Sequence, residues 1–154
     1  MNKQLEKIKN FRLFVLKQIS SLTNEQLNTI PGGYNNNIIW NLGHLVSATQ
    51  AICYKRARLP VTIDDKYFSP FLPTTKPGNF INSEEINIIK ELLISTINTL
   101  NTDLENNLFS NYTKSERIEQ VYGIDVSNID DAIEFLLYHE GFHSGYIVGL
   151  IRLV

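Results

Sequence analysis

Three histidines carry most of the chemistry legible in this sequence. Two of them, His139 and His143, stand four residues apart in Tyr138-His139-Glu140-Gly141-Phe142-His143, inside a stretch with helical periodicity. Residues at that spacing share one helix face, with Cβ atoms about 5–6 Å apart. Two imidazoles so placed can converge on one metal ion at roughly 2.0–2.1 Å each. The remaining histidine, His44, falls on the inner stripe of a second predicted helix, beside the small residues Ser47, Ala48 and Ala51. A helix built only for a packed core would carry Leu or Ile there. The expectation is that His44, His139 and His143 meet at one divalent metal. Three imidazoles with an open position make a catalytic rather than a closed structural site. Zinc and nickel both suit imidazole, and the donor set does not separate them.

Other residues near the histidines have competing readings. His139-Glu140-x-x-His143 fits the short pattern of zinc metalloproteases, in which the glutamate is the general base. Such enzymes usually take a third ligand downstream, and the eleven residues after His143 contain no His, Asp or Glu. Glu140 lies about 100° around the helix from His139, so it either supports the site or faces away from it. Trp40, one turn before His44, is expected to wall a cavity. Ser47 is a pocket candidate. Tyr146, three residues after His143, is either a core aromatic or a hydroxyl aimed at the site, and core is favoured. Cys53, nine residues after His44, reads as a small buried residue rather than a ligand or nucleophile.

The elements that must position these groups follow from apolar spacing. Leu5, Ile8, Phe11, Val15, Ile19 and Leu22 predict a first helix over 2–22. Thr23 and Gln26 form a capping box for a short turn of helix. A second helix is expected from about Asn37 to Arg58, and a third from an N-cap at Ser83 to about Asn107. Residues 108–127 read as a short strand-like or irregular segment. A fourth helix should run from after Asn128 to about Leu153, with Ala132, Phe135, Leu136, His139, His143, Tyr146, Ile147 and Leu150 facing inward. Gly141, Gly145 and Gly149 recur on the opposite side, which close approach of another helix, in this bundle or in a second subunit, would explain. Residues 59–82 form a long connection with four prolines, either a functional loop or, as favoured, the crossover to a parallel neighbour.

At 154 residues the chain is expected to be one domain, 1–154, with a core of its own. A net charge of −2 without a basic run argues against a nucleic-acid surface. No apolar run approaches the ~20 residues of a membrane span, and a single cysteine excludes an internal disulfide. The expectation is a cytoplasmic protein.

Two segments resemble the metal-binding segments of DinB-like proteins: Ile38-Ile39-Trp40-Asn41-Leu42-Gly43-His44-Leu45 and Leu137-Tyr138-His139-Glu140-Gly141-Phe142-His143-Ser144-Gly145-Tyr146-Ile147. The order of elements agrees along nearly the whole chain. The resemblance implies an all-α four-helix bundle with a long crossover between helices two and three. It implies a divalent metal, often nickel or zinc, on His44, His139 and His143, and a homodimer. It points to transfer of a low-molecular-weight thiol to a small-molecule electrophile. Metal-dependent hydrolysis at the same site and a non-enzymatic, stress-related binding role are the alternatives, because the fold alone decides none of them.

Overall fold

The computed structural model describes residues 1–154 and contains helices and no strands. The helices are α1 (Lys3–Gln18), α2 (Asn24–Asn28), α3 (Ile38–Thr49), α4 (Ser83–Glu105), α5 (Glu116–Tyr122) and α6 (Ile129–Ile151). A π-helical segment, Gln50–Lys55, continues α3. Two 3₁₀ turns, Asp65–Tyr67 and Ser69–Phe71, lie in the connection to α4.

Helices α1, α3, α4 and α6 form the bundle. Helix α1 packs between α6 and α4, and α3 completes the ring between the same two. One end of the core joins Val15 and Ile19 to Ile38, Ile39, Ile86, Ile89, Ile147 and Leu150. The other joins Leu5 and Ile8 to Cys53, Ile97, Leu100, Ala132 and Leu136. The starts of α3 and α4 therefore share one end with the finishes of α1 and α6. Helices α3 and α4 are parallel neighbours, and the connection between them must travel the length of the bundle. This is the crossover reading of residues 59–82. Phe68 and Phe71 bury themselves against α3, while Phe80 stays exposed.

The caps explain most helix starts. Thr23 and Gln26 form the expected capping box. Asn37 caps α3 through its bond from the Trp40 N–H, and Asn128 caps α6. For α4 the N-cap is Asn82 rather than Ser83. The Asn82 side chain accepts from the Glu85 N–H and Glu85 reaches back, a box that Ser83 would place one residue late. Helix α1 stops at Gln18, short of 22. Within 108–127, residues 116–122 are helical rather than strand-like; only Ile118 of them is buried, and Gly123, at φ +68°, ends the helix.

The largest departure concerns a polar layer between the two apolar halves. The stripe of α1 runs through Arg12, which is 0 % exposed, while Phe11 is 40 % exposed. Arg12 Nε donates to Glu140 Oε1 at 2.9 Å. Its other nitrogens donate to Leu93 O, Leu45 O, Thr96 Oγ1 and Thr49 Oγ1. One guanidinium thus ties α1 to α3, α4 and α6. The buried face of α6 is correspondingly centred on Glu140, and His139 and His143 lie on its shoulder. No helix is long and apolar enough to cross a membrane.

Candidate metal centre

His44 from α3 and His139 and His143 from α6 come together. One ring nitrogen from each lies within 4.8 Å of the other two. His44 Nε2 and His139 Nε2 are 3.2 Å apart. Two nitrogens each about 2.05 Å from one ion, at that separation, subtend about 103°, close to a tetrahedral angle.

The outer nitrogens show how the rings are oriented. His44 Nδ1 donates to Phe71 O at 2.7 Å, which leaves its Nε2 with a lone pair facing the cluster. His143 Nδ1 lies 2.9 Å from Asn41 Oδ1. The Asn41 amide nitrogen is committed to Asn37 O and Asn36 Oδ1, so its oxygen faces His143 and Nδ1 must be the donor. Partners of this kind fix the tautomer of a ligating histidine. His139 Nδ1 is buried without a partner. Burial, and for His139 the neighbouring His143 and His44, lowers the basicity of all three. His143 is brought down to about 3 by burial and by His44. His44 and His143 direct lone pairs inward, and a cluster of three imidazoles held neutral by burial fits a divalent cation.

The crossover helps build this arrangement. Phe71 lies against Gly43, where an added Cβ would stand 2.4 Å from its ring. Glycine there lets the crossover approach α3 closely enough to bring Phe71 O to His44. Ser47 Oγ donates to Phe68 O at 2.8 Å, tying the same segment one turn later. Trp40 stacks on His44, with ring centroids 4.9 Å apart and planes 7° from parallel. Its Nε1–H donates to Thr75 Oγ1.

Beside the histidines opens a cavity of about 600 Å³, within the usual size of small-molecule sites. Trp40, Ala48 and Ala51 are on its wall. Three other predicted residues lie elsewhere: Ser47, expected in the pocket, is buried with its hydroxyl on Phe68 O and is not on the cavity wall. Glu140 turns into the core toward Arg12, and Tyr146 packs edge-on against Tyr34 at 5.9 Å. Cys53 is buried in the core. Asn41, Gly43 and the Phe71 carbonyl were not singled out from sequence. Asn41 had a readable signal, a polar residue one turn before His44 on a mostly apolar helix. A backbone carbonyl has none.

Fold and site together define a class: an all-α bundle with a long crossover and a three-histidine cluster able to bind a metal ion. The family model of the DinB superfamily matches residues 15–147, and the chain belongs to that superfamily. No curated protein matches the sequence.

Proposed function

We propose that this protein is a metal-dependent transferase that joins a low-molecular-weight thiol to a small electrophile. His44, His139 and His143 hold zinc or nickel. The observation that carries this reading is the cluster of three neutral imidazoles beside a cavity of about 600 Å³. A divalent ion held there supplies a lowered thiol pKa, so that thiolate is present at neutral pH. The chain's own groups do the rest. Phe71 O and Asn41 orient His44 and His143, and Trp40 walls the cavity and excludes water from one side.

The carboxylates favour thiol over water as nucleophile. Glu140 is bound to Arg12, and no carboxylate lines the cavity. No acidic side chain is therefore placed to take a proton from water. A thiol, with an ordinary pKa near 8.5, has less need of such a base.

The test is conjugation of candidate thiols to an electrophile by untagged, metal-loaded protein, with His44→Ala as control. Equal rates in both proteins refute the reading. Turnover without thiol, abolished by chelation, assigns hydrolysis instead.

We also propose a cytoplasmic homodimer formed through the outward face of α6. Tyr138 and Phe142 are 63 % and 71 % exposed there. Nothing in the chain would meet a Cβ at Gly141, Gly145 or Gly149, so no helix of this bundle accounts for those glycines. Sedimentation of the parent beside Phe142→Lys tests it: a monomeric parent refutes it.

A further inference from the structure

The cavity beside the histidines has a charge opposite to that of the molecule. The chain carries 16 acidic and 14 basic residues, yet the cavity wall includes Lys55, Arg56 and Arg117 and no carboxylate. None of these three cations takes part in the four ion pairs of the structure. Arg56 is held by neutral groups alone: its Nε donates to Thr113 O at 3.0 Å and Nη2 donates to Lys114 O. Its charge is fixed in position and uncompensated. The Lys55 ammonium lies 5.8 Å from the centroid of the Phe68 ring, again without a counter-charge. Arg117, on α5, is exposed and lines the same cavity.

The backbone that presents two of the cations is unusual. The π-helical segment Gln50–Lys55 ends at them, and such segments occur frequently at functional sites. Its wide turn coincides with two consecutive pairs on the cavity wall, Ala51 with Ile52 and Lys55 with Arg56. The same wall carries apolar side chains, Ile52, Ile118 and Val121 among them. A cleft lined by one sign of charge with apolar walls concentrates ligands of the opposite sign.

We propose that the cavity binds a small amphipathic anion. Its carboxylate or phosphate meets Lys55, Arg56 and Arg117, its apolar middle lies along Ile52 and Ile118, and its reacting end reaches His44, His139 and His143. The position of the reacting end rests on the function proposed above; the anion subsite does not.

The test is calorimetric titration of the zinc-loaded full chain with a charge series of equal length: mercaptohexanoate, hexanethiol and aminohexanethiol. The parent should bind the carboxylate about tenfold or more tighter than the neutral thiol, the order of one charge pair at a partly exposed site. The ammonium should bind weakest, and rising salt should narrow the spread. Lys55→Ala with Arg117→Ala should narrow the spread severalfold, with Arg56 keeping the remainder of the preference for the carboxylate. Both side chains are exposed, and Arg56 is left to hold residues 113–114. Mercaptohexyl phosphate in the same series identifies the preferred anion. Three thiols of equal affinity in the parent overturn the proposal, as does a spread that the double variant leaves unchanged. If no thiol binds, the thiol reading fails by itself. Hexanoate, hexanol and hexylamine then replace the series, and the same ordering supports the anion subsite while its absence overturns it.

Discussion

Replacing Glu140 by glutamine should destabilise the protein strongly while leaving the histidine cluster able to bind metal. Arg12 and Glu140 are both 0 % exposed. Burial pushes the Glu140 carboxyl upward, and the Arg12 guanidinium pulls it back. Glutamine keeps the shape of the side chain and removes its charge, which leaves a buried guanidinium without a counter-ion. Breaking such a pair from one side costs about 3–5 kcal/mol. For a chain of this length each kcal/mol moves the melting temperature by about 2–4 °C, so the loss is about 6–20 °C. The double variant Arg12→Met, Glu140→Met should be far less damaged. Thr49 Oγ1 also bonds Leu45 O, and Thr96 Oγ1 bonds Leu92 O. Leu45 O and Leu93 O lie within helices, where backbone N–H groups remain as donors. Removing both charges therefore strands no group in the layer except through packing, and replacement of buried pairs by apolar residues is often neutral. The assay is urea unfolding in chelator, read as extrapolated free energies. A Glu140→Gln variant within about 1 kcal/mol of the parent refutes the reasoning. So does a double variant less stable than the single one. Loss of metal binding by folded Glu140→Gln protein would show that the cluster depends on Glu140, through the rotation of α6 or by contact with the site.

Four other outcomes follow from named contacts. Asn41→Leu should weaken metal binding by about 10–100-fold, because His143 loses the partner of its Nδ1; competition with a chromophoric chelator reads this directly. Gly43→Ala should displace the Phe71 ring and with it the acceptor for His44 Nδ1, giving a similar loss by the same titration, where an unchanged affinity would show that the crossover does not orient His44. Cys53 should resist a thiol reagent in the folded protein at pH 8 and react in denaturant, since burial pushes its thiol up to about 12. Because that folded value lies above the ordinary one, the thiol stays protonated through the neutral range, and rapid labelling of native protein would contradict its placement. In metal-free protein, acidification should lower the melting temperature. His143 ordinarily titrates near 6.5 and is brought to about 3 when folded, so the unfolded chain takes up a proton first and stability is lost as pH falls from about 6.5 toward 3. A melting temperature flat over that window, with His143→Ala as comparison, counts against a buried neutral imidazole.

The histidine cluster was legible because histidine is scarce here and all three copies fall on inward or near-inward positions of long periodic helices. The bundle was legible for the same reason, since period and caps speak locally. What the periodicity misplaced was the centre of two faces. On α1 the spacing Ile8, Arg12, Val15, Ile19 is as regular as one through Phe11, but hydrophobicity favoured phenylalanine over arginine. On α6 the same preference set the inner stripe around the histidines instead of Glu140. A buried arginine is stable only because a glutamate 128 residues later meets it, and that distant partner has no local signature. Residues 116–122 were ambiguous because so short a segment buries one side chain, too few to show a period.

The ion pair and the histidine cluster are connected through the rotation of α6. Successive helical residues differ by about 100°. Once Glu140 points at Arg12, His139 is turned to one side of the core axis, and His143, one turn on, follows it. That side faces α3, where His44 waits between the crossover and Trp40. An apolar residue at position 140 would pack equally well over a range of rotations. A charged pair with five hydrogen-bond acceptors around one guanidinium fixes a single orientation. The polar layer thus sets the angle at which His139 and His143 are presented, and the crossover, through Phe71 O and Gly43, sets that of His44.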